Sequence, residues 1–188
     1  MPDRTLAGAL LVGGASTRFG SPKALAPFEG ETLAERGRRT LAEAFGRVIV
    51  VGKAADALPL PFPVEDDGSD VRAAIVGLAA ALRLSGEEVV VVLPTDMPLM
   101  TADLLGSLAD ALGDADAAVP QTGPLPGAYR RAALPVLERR IGSGDLALHR
   151  ALAELDTRVV QCDERLLANV NEPSDLSPRD GEGRRTRP

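Results

Sequence analysis

Apolar positions along the chain follow two alternating rhythms. Short aliphatic and β-branched runs occur at Leu6–Val12, Arg47–Val51, Pro63–Glu65, Glu88–Leu93, Ala117–Pro120, Pro126–Arg130 and Arg158–Cys162, and each reads as a strand. Between them the apolar residues recur with the helical period. Leu33, Gly37, Leu41, Ala44 and Phe45 share one face, and Thr32 with Glu35 three residues on forms a capping box that starts that helix. Val71–Leu84, Ala102–Leu112, Ala132–Arg140 and Leu146–Leu155 read likewise as helices. The run Val89-Val90-Val91-Val92-Leu93 has no polar position, which is the pattern of a parallel strand covered on both faces. Strands alternating with helices in this way predict an α/β fold of three layers, with a doubly wound, mostly parallel, Rossmann-like sheet. No internal repeat is evident. One domain is expected over residues 1–176, and the Pro-, Gly- and Arg-rich stretch 177–188 reads as a disordered tail.

Composition adds limits to this picture. Of 188 residues, 45% are apolar and 26% charged, the balance of an ordinary globular chain, and a chain of this length buries roughly 70% of its unfolded surface without needing a disulfide or metal staple. The single cysteine, Cys162, forms no internal disulfide, lies in an apolar strand and reads as a small core residue; with no Cys/His cluster, structural zinc and iron–sulfur sites are not expected. Nothing resembles a signal peptide or a membrane span, so a cytoplasmic protein is expected. The net charge is −6, and the last ten residues hold four Arg against two acids, leaving −8 on the rest. Such a surface repels polyanions. With only four Phe and one Tyr to stack on bases, nucleic-acid binding is not expected, and an anionic ligand requires a local positive site.

Such a site follows the first strand. The segment Leu11-Val12-Gly13-Gly14-Ala15-Ser16-Thr17-Arg18-Phe19-Gly20-Ser21-Pro22-Lys23 matches neither the dinucleotide fingerprint nor the P-loop. Its residues are nevertheless those of a phosphate cradle: Gly13, Gly14 and Gly20 let backbone N–H groups approach an anion, Ser16 and Thr17 can donate, and Arg18 and Lys23 bring charge. No acid occurs from Ala7 to Phe28. A plain Gly-rich loop with two solvated bases is the alternative. A second segment, Leu93-Pro94-Thr95-Asp96-Met97-Pro98-Leu99, places Asp96 at the carboxyl end of the continuous apolar strand, where a carboxylate can hold Mg²⁺ whose other positions go to water and phosphate oxygens. The alternative role, capping the helix from Ala102, suits Thr101 better. The lone histidine, His149, reads as structural, the cluster Arg36, Arg38 and Arg39 as a solvated face, and Pro124–Tyr129 as an acceptor-pocket lining or as Pro-Gly punctuation before an edge strand ending in Tyr129.

Taken together, Leu-x-Gly-Gly-x-Ser-x-Arg-x-Gly-x-x-Lys, then Thr95-Asp96-Met97-Pro98, then Asn169-Val170-Asn171-Glu172-Pro173-Ser174-Asp175-Leu176, resemble the MobA family of molybdenum cofactor guanylyltransferases over roughly Leu6 to Leu176. The resemblance implies a nucleotidyltransferase fold and transfer of GMP from GTP to the phosphate of molybdopterin, with Mg²⁺ and release of pyrophosphate. It implies nucleotide binding by Leu11, Val12, Gly13, Gly14, Lys23, Asp66 and Asp96, metal binding by Asp96, and catalytic roles for Arg18, Lys23 and Asp96. It implies the molybdenum cofactor as a partner, with molybdoenzymes or other cofactor-biosynthesis proteins as further ones, in a monomer or small homo-oligomer. Two residues depart from the usual guanylyl pattern, Val12 before the glycines and Pro22 before the lysine. Gly13 matches the guanylyl pattern, whereas Pro22 before the lysine matches the related cytidylyltransferases; the Asn169-Val170-Asn171 ending favours GTP. A cytidylyltransferase, a transferase acting on another small phosphate, and a nucleotide-binding module without chemistry are the competing readings. A phosphate monoester has a second pKa near 6, so as acceptor it needs no general base, in keeping with one histidine.

Overall fold

The run Leu6–Leu11, in which every position after Leu6 is buried, pairs its backbone on both sides within the sheet as the interior strand β1, between Val48–Gly52 and Val89–Pro94. The computed structural model describes residues 5–13 and 22–176. The expected tail lies outside them, as do Gly14 and Arg18 of the cradle.

In chain order the strands are β1, a two-stranded hairpin of β2 (Pro27–Phe28) and β3 (Glu31–Thr32), β4 (Val48–Gly52), β5 (Glu65–Asp66), β6 (Val89–Pro94), β7 (Ala117–Pro120), β8 (Gly127–Arg130) and β9 (Thr157–Val160). The helices are α1 (Leu33–Ala44), α2 (Ala74–Ser85), α3 (Ala102–Leu112), α4 (Leu134–Gly142) and α5 (Leu148–Leu152). Seven strands form one sheet in the order β5-β4-β1-β6-β8-β7-β9. β5, β4, β1 and β6 run parallel, and β8 is antiparallel to both β6 and β7. Helices α1 and α3 pack on one face with Leu10, Val91 and Leu93; α2, α4 and α5 cover the other with Leu11, Val90 and Val92. The three-layer, mostly parallel fold therefore stands as read from the sequence. Among the described residues no helix is long and apolar enough to cross a membrane.

Local chemistry explains most boundaries. The Thr32 hydroxyl accepts from the Glu35 amide at 3.2 Å while the Glu35 carboxylate accepts from the Thr32 amide at 2.9 Å, the two halves of the capping box that opens α1. Gly37 lets α1 close on β1, since a Cβ there would lie 2.6 Å from Leu10 Cδ1. Thr101 caps α3 by accepting from the Leu104 amide, which removes the capping role considered for Asp96.

Several expectations are corrected. The helix expected from Val71 begins at Ala74, because the Ser69 and Val71 carbonyls accept from the Lys53 ammonium instead of entering a helical ladder. The last helical pattern yields only Leu148–Leu152, with His149 exposed on it rather than packed. β8 is an interior strand, and its Tyr129 is fully buried with its hydroxyl donating to the Pro124 carbonyl; burial pushes that phenol well above its usual range. β9 is the edge strand, ends at Val160 and has Val159 facing solvent. Cys162 lies beyond it, half-buried, with its thiol pushed up by desolvation and its amide donating to Gln121. Arg36 is no solvated base: it stacks over Phe28 and donates from Nε to the Pro98 carbonyl at 2.6 Å.

Candidate active site

Parallel strands end on one edge of the sheet, so the carboxyl ends of β1, β4, β5 and β6 bring their following loops together. The chain passes from β1 to β4 on one side and later to β6 on the other, which makes β1 the point where the winding direction changes. A cavity of about 440 Å³ opens there. Leu11, Val12, Gly13 and Lys23 line it from the β1 side, Pro94, Thr95, Asp96 and Met97 from β6, Gly52, Lys53 and Asp67 from β4 and β5, and Arg72, Ala73, Ala74 and Gly77 from the start of α2.

The loop after β6 is held firmly. The Thr95 amide donates to the Leu11 carbonyl, Met97 and Met100 are buried in the core, and Arg36 holds Pro98. From the far end of the chain, the Val170 amide donates to the Asp96 carbonyl at 2.7 Å, laying Asn169 along the cavity. Lys23 stands on a short 3₁₀ turn, Lys23–Leu25, anchored by the buried Ala24. Its ammonium is 3.5 Å from Asp96 Oδ2, a long pair between side chains that are 18% and 26% exposed.

The other oxygen of Asp96 decides what this carboxylate is suited to. Oδ1 is buried and has no hydrogen-bond partner among the described residues, a state that costs about 1–3 kcal/mol or more for a charged acceptor. A hard cation is the natural partner for such an oxygen, so the residues fit a divalent metal. No group of three or more His, Cys, Asp or Glu gathers among the described residues, and a cation held by Asp96 would fill its other positions largely with water and ligand oxygens.

The structure thus brings together Leu11, Val12, Gly13, Lys23 and Asp96 of the residues singled out from the sequence. Asp66 is not among the cavity residues: it is exposed and accepts from the Ala54 amide at 3.0 Å, while its neighbour Asp67 faces the cavity. Lys53, Asp67 and Arg72 escaped the sequence reading. Arg72 forms a bidentate pair with Asp56, whose carboxyl it holds below the usual range chiefly by hydrogen bonding. The available signal was a lone lysine directly after an apolar strand and an acidic doublet, of which the pleat points only one member inward.

A strand-end crevice holding a lysine, glycine amides and a carboxylate suited to a metal defines an α/β protein that handles nucleotides. The chain belongs to the MobA-like NTP transferase domain family, whose pattern matches residues 8–160. It is similar to a probable molybdenum cofactor guanylyltransferase of Opitutus terrae, 35% identical over 96% of each chain. A second protein so named, from Aquifex aeolicus, is 32% identical over 89% of this chain and 86% of its own. The crystal structure of molybdopterin-guanine dinucleotide biosynthesis protein A from Archaeoglobus fulgidus is similar with a TM-score of 0.78 and 27% identity, covering 90% of this chain and 94% of that one. This family's chemistry generally uses a divalent metal.

Proposed function

We propose that the protein transfers GMP from GTP to the phosphate of molybdopterin, releasing pyrophosphate. The observation that carries the reading is Asp96: a strand-end carboxylate with one buried oxygen left without a donor and the other facing Lys23, at the switch point of a parallel sheet. A module that merely held a nucleotide would not require a strand-end metal ligand. The names of the relatives supply the donor and acceptor, and the glycine at position 13 agrees with them.

Asp96 would hold Mg²⁺, which when bound neutralises phosphate charge as pyrophosphate departs. The remaining work belongs to the chain. Gly13, exposed on the cavity, lets the nucleotide come close to the backbone, and the Lys23 ammonium is placed to exchange its long contact with Asp96 for a phosphate oxygen. Arg18, between Gly13 and Lys23 in the sequence, would add a second cation. The acceptor's phosphate oxygen attacks the α-phosphorus of GTP, the bond to the β-phosphate oxygen breaks, and no side chain has to remove a proton from an acceptor already ionised at neutral pH. Consistently, the one histidine lies exposed on α5 and is not among the cavity residues. Leu125, before β8, gives the cavity an apolar boundary on the side we assign to the pterin.

Mixing the protein with each of the four nucleoside triphosphates, Mg²⁺ and molybdopterin, and weighing the product, tests the assignment. A guanylyl adduct with stoichiometric pyrophosphate is expected. A cytidylyl adduct would replace the base, as Pro22 before Lys23 would then have indicated, and binding without pyrophosphate release would reduce the protein to a nucleotide carrier.

A further inference from the structure

Lys53 lines the cavity, yet its ammonium is already fully engaged. The side chain is 8% exposed and that of Asp67 7%. Nζ donates to Asp67 Oδ1 at 2.8 Å, to the Ser69 carbonyl at 2.6 Å and to the Val71 carbonyl at 2.7 Å. An ammonium has three N–H groups, and all three go to one short segment, 67–71. Nothing remains for a ligand unless one of these bonds is given up.

What that segment leads into explains the arrangement. Two residues further on, Ala73 opens α2 with no side-chain cap, and Arg72, Ala73, Ala74 and Gly77 face the cavity. The backbone N–H groups of the first turn are therefore not consumed by a cap. The lysine stem also reaches the opposite wall, since a Cβ added at Gly13 would lie 3.9 Å from Lys53 Cγ. Further ties join the same two loops: Asp67 amide to Gly52 carbonyl, Ala54 amide to Asp66, and Arg72 to Asp56.

We propose that Lys53 is a positioning residue of the nucleotide site, clamping 67–71 so that the uncapped start of α2 stands at a fixed distance from Gly13 at the end of β1. This rests on the reading of the cavity as a nucleotide site. Asp67 is then only one of three anchors, and the two carbonyls matter as much as the carboxylate.

Two variants of the full chain separate this from simple charge pairing. Lys53→Met removes the clamp and strands Asp67; Lys53→Met with Asp67→Asn removes both charges, so the fold is kept while Ser69 and Val71 still lack their donor. Equilibrium nucleotide binding without acceptor, kcat and KM, and amide hydrogen exchange over 66–76 are measured. The double variant is expected to bind nucleotide roughly tenfold more weakly or worse, to raise KM with kcat little changed, and to exchange faster over 66–76 but not in β1 or α3. Wild-type affinity in the double variant would overturn the proposal by showing that Lys53 merely neutralises Asp67. Lost affinity with unchanged exchange would also overturn it, pointing to direct contact with the ligand. Binding is read with whichever of GTP and CTP the wild-type protein holds more tightly, so an error in the base shows in the wild type and leaves the variant ratio intact.

Discussion

On the β4–β5 side of the cavity the charged side chains Lys53, Asp67 and Arg72 are each met by partners at ordinary hydrogen-bond distances, whereas the β1–β6 side ends on Asp96, with one long contact to Lys23 and one oxygen that no described residue meets. Both sides carry a lysine and an aspartate. On one they are buried, close and supported by two further carbonyls; on the other they are partly exposed and 3.5 Å apart. A pair whose bonding capacity is spent internally can only hold a shape. One with a carboxylate oxygen that no described residue meets can take up a cation, which makes the same two residue types scaffold in one place and chemistry in the other.

The sharpest way to break this contrast is to exchange stability for activity. Lys53→Met leaves Asp67 charged and buried, so it is expected to cost about 3–5 kcal/mol of folding free energy, read by denaturant unfolding, and Asp67→Asn in the same chain should return a large part of it. Asp96→Asn should do the opposite. Removing a charge whose Oδ1 lacks a partner leaves the unfolding midpoint at or above wild type, while turnover falls roughly a hundredfold or more, in keeping with several kcal/mol of charge stabilisation by a bound metal, with partial recovery at high Mg²⁺. An Asp96→Asn protein with wild-type metal dependence would make Asp96 a turn residue. Lys23→Ala comes next: loss of a charge-assisted contact, about 1.5–3 kcal/mol, lowers turnover at least tenfold without unfolding the chain, and an unchanged rate at saturating GTP would remove Lys23 from the site. The smallest effect is expected at Gly13→Ala. Among the described residues its methyl would meet Gly52 at 3.8 Å and Lys53 at 3.9 Å, ordinary contacts, so these neighbours accept it and the crowding falls on the ligand. We expect the preference for GTP over CTP in kcat/KM to narrow by a few-fold, about 1 kcal/mol or less, chiefly through weaker use of GTP. A preference unchanged by the methyl would move the base away from the end of β1.

Periodicity made the fold legible because its central strands are apolar on both faces and two of its helices, α1 and α3, carry clear caps in Thr32 with Glu35 and in Thr101. Lys23 and Asp96 were legible for a related reason. Each stands next to a turn punctuated by proline or glycine at the end of a strong strand, where chain direction alone decides what faces the crevice. The β4–β5 side was not legible in the same way. Whether Asp66 or Asp67 points inward depends on a pleat register across a strand of two residues, Glu65–Asp66, too short to show alternation. Lys53 follows β4 like any surface lysine, and its burial depends on carbonyls sixteen and eighteen residues away that the sequence does not mark as acceptors. The hairpin β2–β3 escaped because its paired strands have two residues each.

The hydrogen bond from the Val170 amide to the Asp96 carbonyl has a consequence for the order of events at the ribosome. The last strand of the sheet ends at Val160, where the match to the family pattern also ends, so every strand has been synthesised before the segment that flanks Asp96 emerges. A chain ending there holds every strand of the sheet, yet it lacks Asn169 beside the cavity and the buried anchors Leu167 and Val170. Competence therefore waits on the docking of that stretch, and a fragment cut at residue 160 would hold every strand while leaving one flank of the reaction centre open.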